Sequence, residues 1–129
     1  MISYQWRGEF TNAQVNALHA EGFHHRLLDD DWLGQVSRHS LGWVCAAEGG
    51  ELVGFVNVPW DGGVHAFIID TLVTASARHR GVGTKLVEVA AQNARAAGCE
   101  WLQPSRCALI KSQTVALAVA SEALRYSSR

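Results

Sequence analysis

Apolar and polar positions along the chain change period several times, and each change marks an element. Ile2 to Phe10 alternates as a first strand does, with every second side chain on one face. Thr11 offers an N-cap for a helix over Asn12–Ala20, with Val15 and Leu18 on its inner face and Gly22 as its stop. Asp29-Asp30-Asp31 offers a cap for a second helix, Trp32 to His39, with Leu33 and Val36 facing in. A short strand over Trp43–Ala47 turns through Glu48-Gly49-Gly50-Glu51 into a strand over Leu52–Val58. Pro59-Trp60-Asp61-Gly62-Gly63, with its Asp-Gly pair, makes the next hairpin and leads into Ala66–Thr74, an apolar, β-branched strand. Leu86, Val89, Ala90, Ala94 and Ala97 fall on one stripe of a helix that starts near Thr84 and closes at Gly98. Cys99-Glu100-Trp101-Leu102 opens another strand. The reading is an α/β (α+β) domain in the order β-α-α-β-β-β-α-β.

The junction between the Ala66–Thr74 strand and the following helix is Arg78-His79-Arg80-Gly81-Val82-Gly83-Thr84. Glycines there let the backbone approach a ligand closely, and the unpaired N–H groups of a first helical turn favour an anion. Arg78, Arg80, Lys85 and His79 add positive charge at the same place. A phosphorylated cofactor suits such a turn, and spacing selects among them. A dinucleotide fingerprint needs a third glycine where Leu86 stands, which counts against a nucleotide-binding redox protein, and no stretch supplies a P-loop.

Arg78-x-x-Gly81-x-Gly83 fits [Q/R]-x-x-G-x-[G/A] and resembles the acyl-CoA pyrophosphate loop of the GNAT superfamily of N-acyltransferases. The lead-in of that family, V-x-P-x-[YF]-R, is matched by Val73 and Arg78, while Ala75 and Ala77 replace the proline and the aromatic residue. The resemblance covers residues 1–102. It implies a mixed, largely antiparallel central sheet flanked by helices, and a V-shaped gap beside the strand that precedes the loop. It further implies acetyl-CoA as cosubstrate, its pantetheine along the backbone of Thr71, Leu72 and Val73 and its diphosphate on the amides of His79 through Thr84 (His79, Arg80, Gly81, Val82, Gly83, Thr84). The Val73 amide becomes the donor to the thioester oxygen. The reaction implied is direct attack by a primary amine, of a small molecule, within a ternary complex.

Composition permits this. A chain of 129 residues with 48% apolar and 18% charged residues is one ordinary domain, and a net charge of −1 argues against nucleic acid as partner. No run approaches a membrane span and the first residues lack a signal-peptide shape, so the expectation is a cytoplasmic protein. Cys45, Cys99 and Cys107, odd in number and widely spaced, read as reduced thiols.

For a base, Asp70 is the one carboxylate on the strand facing the implied gap, and apolar surroundings raise a carboxyl pKa. His65, at the start of that strand, titrates in the right range; held water is the third candidate. Tyr126 stands downstream without the Gly-Phe context that the family gives its tyrosine. His24-His25 lacks a third ligand for a metal site and belongs to the Gly22–Trp32 loop, which borders the acceptor side in the family fold. In that loop Asp29, Asp30 and Asp31 either attract a cationic amine or cap the helix. Of the tryptophans, Trp60 at a hairpin tip is the one expected to be exposed. Cys45 reads as a buried small hydrophobe.

Residues 103–129 break the pattern. All 12 glycines and 11 of the 12 acidic residues precede Gln103, the exception being Glu122. Ser112 to Tyr126 reads as a helix by Leu117, Ala120 and Leu124, or as a strand by Val115, Leu117 and Val119. An altered reading frame or appended tail after Leu102 competes with a divergent C-terminus. Hence a second reading, a CoA-binding domain without turnover that acts through a partner chain, with exposed sheet edges favouring a homodimer.

Overall fold

The structure, a computed structural model, describes residues 1–104 of the chain. The reading of Ser112–Tyr126, with Tyr126 itself, and of Cys107 lies outside the described residues. The elements are β1 (Ser3–Trp6), α1 (Asn12–Phe23), α2 (Trp32–His39), β2 (Ser40–Glu48), β3 (Glu51–Pro59), β4 (His65–Val73), a 3-10 turn (Ala75–Ala77), α3 (Val82–Ala96) and β5 (Trp101–Pro104). The order is the one expected from the pattern.

The five strands form a sheet in chain order. β1 to β4 pair antiparallel, β1 reaching β2 through α1 and α2 and the next two pairs through short turns, while β4 and β5 are parallel and joined by α3. Each face carries its own core. On one, α3 lays Leu86, Val87 and Ala90 against Val44, Val56 and Ile68. On the other, α1 and α2 bring Val15, Leu18, Trp32 and Val36 to Phe10, Phe55 and Leu72. α3 lies very close to β3: a Cβ at Gly54 would meet Leu86 and Val82 at 3.1 Å.

Local backbone chemistry moves several boundaries. β1 stops at Trp6 because Arg7 takes a left-handed conformation (φ 56°) and returns its N–H to the Trp43 carbonyl, which frees Phe10 to fold into the core. Thr11 caps α1 as expected, Gln14 completes a capping box, and yet α1 runs past Gly22 to Phe23. His24, at φ 56°, supplies the left-handed cap instead. Asp31 is the residue that caps α2, accepting from the Gly34 N–H at 3.0 Å. Leu33 points outward and Trp32 takes the inner position with Val36, and Ala97 lies past the end of α3, exposed.

One irregularity matters for the site. Ile68 packs on the α3 face and Leu72 on the α1 face. In an unbroken strand two residues four apart share a face, so an extra residue lies between them. The register shows it: Asn57 pairs with Ile69 and Phe55 with Leu72, two steps on β3 against three on β4. Asp70, with φ 53°, sits in this β-bulge.

Candidate functional site

The C-terminal end of β4 enters a short loop whose conformation follows from its hydrogen bonds. The Thr74 N–H reaches back to Val53 O on β3 (2.9 Å). Successive peptide groups of an extended strand point to opposite sides, so the N–H and C=O of Val73 turn away from β3. Arg78 Nε donates to that Val73 carbonyl at 3.2 Å. Glu21 of α1 pins the 3-10 turn, accepting from the Ala75 N–H at 2.6 Å and from Thr74 Oγ1 at 3.2 Å.

His79 (φ 64°) and Gly81 (φ 77°) then turn the chain into α3. A Cβ on Gly81 would meet no atom within 4 Å, so glycine is needed for its backbone angle and not for space. Gly81 O accepts the first helical bond, from Lys85 N at 3.1 Å. The N–H groups of Val82, Gly83 and Thr84 precede that bond, and no side chain caps them. The loop therefore presents outward donors at the positive end of a 15-residue helix. Its cations are partly engaged. Arg80 grips Glu48 at the end of β2 through two bonds (3.1 and 2.7 Å), and Lys85 lies 3.9 Å from Glu88. The Arg80 bonds hold the Glu48 carboxyl below its usual range.

Asp70, one strand residue before Thr71, points to the α1 face. Its Oδ1 lies 3.4 Å from His19 Nε2, and both side chains are mostly shielded from solvent. Burial holds the Asp70 carboxyl above the ordinary carboxylate range, against the opposing pull of His19. The His19 ring stacks on Phe23 at 4.4 Å and sits 5.4 Å from the Trp32 ring. His19 Nδ1 meets His25 Nε2 at 2.7 Å, and His25 Nδ1 meets the Arg26 carbonyl at 2.6 Å. Beneath them, buried Asn16 ties the Gly22–Trp32 loop to α1, accepting from Asp30 N and from Trp32 Nε1, both at 3.2 Å. Next to Asp70, Thr71 Oγ1 is buried and has no hydrogen-bond partner among the described residues.

The structure thus gathers Asp70, Thr71, Leu72, Val73 and the loop from Arg78 to Thr84 at one end of β4. His65 is not among them. It lies at the opposite end of the strand, about 25 Å away at the rise of an extended chain, bonded to Asp61 Oδ2 at 3.1 Å and stacked on Trp101. Its geometry belongs to the hairpin. Trp60 is exposed at that tip. Cys45 is buried and its thiol is pushed up to about 12, an inert hydrophobe in practice. Among the described residues no cluster of metal-ligating side chains exists. Nor is any described helix long and apolar enough to cross a membrane. Asp31 is spent on capping, as noted, and also accepts from Asn12 Nδ2 at 3.2 Å.

His19 is the functional candidate that the sequence reading passed over. Its signal was available: it stands four residues after Val15 and four before Phe23, a titratable ring in line with the inner positions of α1.

The sequence matches the model of the acetyltransferase (GNAT) family over residues 4–111. No curated protein matches it. Among solved structures, a GNAT-family acetyltransferase from Streptococcus pneumoniae TIGR4 is similar at 24% identity, over 81% of this chain and 75% of that one, with a TM-score of 0.64. An aminoglycoside acetyltransferase from an uncultured soil metagenomic sample, in complex with sisomicin, is similar at 13% identity over 93% and 86%, with a TM-score of 0.69. A GNAT-family acetyltransferase from Brucella melitensis, in complex with acetyl-CoA, is similar at 16% identity over 78% and 73%, with a TM-score of 0.60. At such identities the likeness is one of fold.

Proposed function

Since the chain belongs to the GNAT acetyltransferase family, we propose that it transfers an acetyl group from acetyl-CoA to a primary amine of a small molecule. The observation that carries this reading is the uncapped N-terminus of α3, set directly beyond a bulged strand whose Val73 peptide group faces away from its β3 neighbour. The amides from His79 to Thr84 hold the diphosphate, each helix-end donor contributing through the dipole as well as by hydrogen bonding. The backbone of Thr71 to Val73 aligns the pantetheine arm. The Val73 N–H then lies where charge develops on the thioester oxygen, and such a preorganised donor is worth about a hundredfold or more in rate.

Holding both substrates together makes the attack effectively unimolecular, so no covalent enzyme intermediate is needed. Asp70 takes one proton from the ammonium, since only the neutral amine is nucleophilic. Its raised affinity for protons, a consequence of burial, brings it nearer the range a base needs at neutral pH. The C–N bond forms, the C–S bond breaks, and the second nitrogen-bound proton goes to the departing thiolate. A small acceptor agrees with what fold neighbours hold: sisomicin in one, and coenzyme A with N-acetyl-glutamate in a synthase from Neisseria gonorrhoeae.

Thiol release from acetyl-CoA, measured across a panel of amines, tests the reading. Amine-dependent release with an acetylated product supports it. Thermal stabilisation by coenzyme A with no release points to a CoA-binding domain that works without turnover. The absence of both effects would contradict both readings.

A further inference from the structure

We propose that Asp70, His19 and His25 form a proton relay, leading from the β4 bulge along the outer end of α1 to solvent; as a path for the acceptor amine's proton it rests on the acetyl-transfer reading above. The Arg26 carbonyl can only accept, so the 2.6 Å contact requires a proton on His25 Nδ1. A neutral His25 then presents a lone pair at Nε2, and the 2.7 Å contact is satisfied by a proton on His19 Nδ1. The tautomers are assigned from this network.

A neutral His19 so protonated turns its Nε2 lone pair toward Asp70 Oδ1, 3.4 Å away. Two acceptors face each other there. Three contacts in series hold three protons, whereas two neutral imidazoles bring two. The gap between Asp70 and His19 is where a third proton enters. That proton is the one an ammonium group must lose before it attacks. Asp70 receives it and passes it to His19 Nε2; His19 Nδ1 gives one to His25 Nε2; His25 Nδ1 leaves its bond to the Arg26 carbonyl and releases one to water at the loop. One proton enters and one leaves, each ring ends as the other tautomer, and a flip of both imidazoles restores the proton that the Arg26 carbonyl requires on His25 Nδ1.

The surroundings suit transfer along this line and not sideways. Phe23 and Trp32 wall the His19 ring. Glu21, the nearest other carboxylate on α1, is committed to Thr74 and Ala75. In the loop, Asp31 is held by Gly34 and Asn12, Asp30 is bound through its backbone to Asn16, and Asp29, His24 and Arg26 are exposed. His24 caps α1 with its backbone.

Two measurements on the whole chain test the relay, the first without reference to turnover. Long-range proton–nitrogen spectra of the imidazoles are expected to show neutral His25 protonated at Nδ1. Asp70→Asn should move the His19 Nε2 resonance, because the carboxylate facing it is gone. His25 protonated at Nε2, or a His19 Nε2 resonance unmoved by Asp70→Asn, overturns the relay even if acetyl transfer is real. The second uses His25→Ala, a loop variant remote from the core. Its kcat in dilute buffer should fall on the order of tenfold and recover with added imidazole, with KM for acetyl-CoA unchanged. A rate that does not fall, or falls without recovery, contradicts the relay. Absence of thiol release from the unmutated chain strikes the acetyl-transfer reading alone, since the spectra decide the network independently.

Discussion

The two halves of the site, the loop into α3 and the bulge of β4, are made of different material. The loop is backbone: uncapped amides at a helix start, turned outward by left-handed His79 and Gly81. The bulge is side chain: a buried carboxylate on β4 answered by a histidine from α1 and, behind it, a second histidine. Backbone donors grip a charged group whatever residues surround them, provided the angles are kept. Side-chain chemistry needs particular atoms from distant segments, and it is adjusted by burial. The proposed function gives cosubstrate binding to one half and proton chemistry to the other, and mutations should separate them.

The largest separation is expected from Gly81→Asp. A left-handed aspartate costs about 1–2 kcal/mol of backbone strain and places a negative charge where the diphosphate is proposed to bind. Calorimetry with coenzyme A should show affinity reduced by roughly a hundredfold or more, the helix-end anion site being lost. Unchanged affinity removes the loop from the account.

Asp70→Asn should do the reverse, lowering kcat by about a hundredfold while leaving the calorimetric affinity for coenzyme A nearly as it was. Asparagine tolerates the positive φ of the bulge, so the fold is kept. The variant also carries a stability signature. Because the folded pKa of Asp70 is raised by burial, its contribution is fully present below the unfolded value of 3.8 and is lost as pH rises through the folded value. Asp70→Asn should therefore melt higher than the parent at neutral pH, and the difference should vanish in acid. A variant that melts lower at neutral pH means that the pairing with His19 outweighs the cost of burial.

Gly54→Val probes the link between core and loop. The added atoms strike Val82 and Leu86 on the first turns of α3, so stability should drop by about 1–3 kcal/mol in denaturant melts. Affinity for coenzyme A should weaken with it, because those turns carry the donors. The smallest effect is expected from Glu48→Gln, which frees the Arg80 guanidinium. At low salt coenzyme A should bind roughly two- to fivefold tighter, and the gain should fade as salt rises.

The same contrast explains what could be read from the sequence. The α3 loop was legible because glycine spacing and a change of period lie within one short stretch, Arg78 to Thr84. The element order was legible too, since Asp-Gly and Gly-Gly turns punctuate strands of alternating or continuous apolar character. The bulge was not. Phe67 to Ile69 and Leu72 to Val73 are apolar on both faces of a buried strand, so a slip of one residue leaves no mark in the alternation. The partner of Asp70 lies on α1, far away in sequence, and only the packing of α1 on β4 brings it there. His65 shows the converse. It shares a strand with Asp70, but sharing a strand places residues in line, not together.

The most direct test of the central claim is an amide-resolved NMR titration of the chain with coenzyme A. The account predicts the largest shifts at His79 through Thr84, with Thr71 to Val73 moving in the same titration and at the same affinity. Saturable shifts confined to other surfaces, such as the β1–β2 end of the sheet, or none at all, would contradict it.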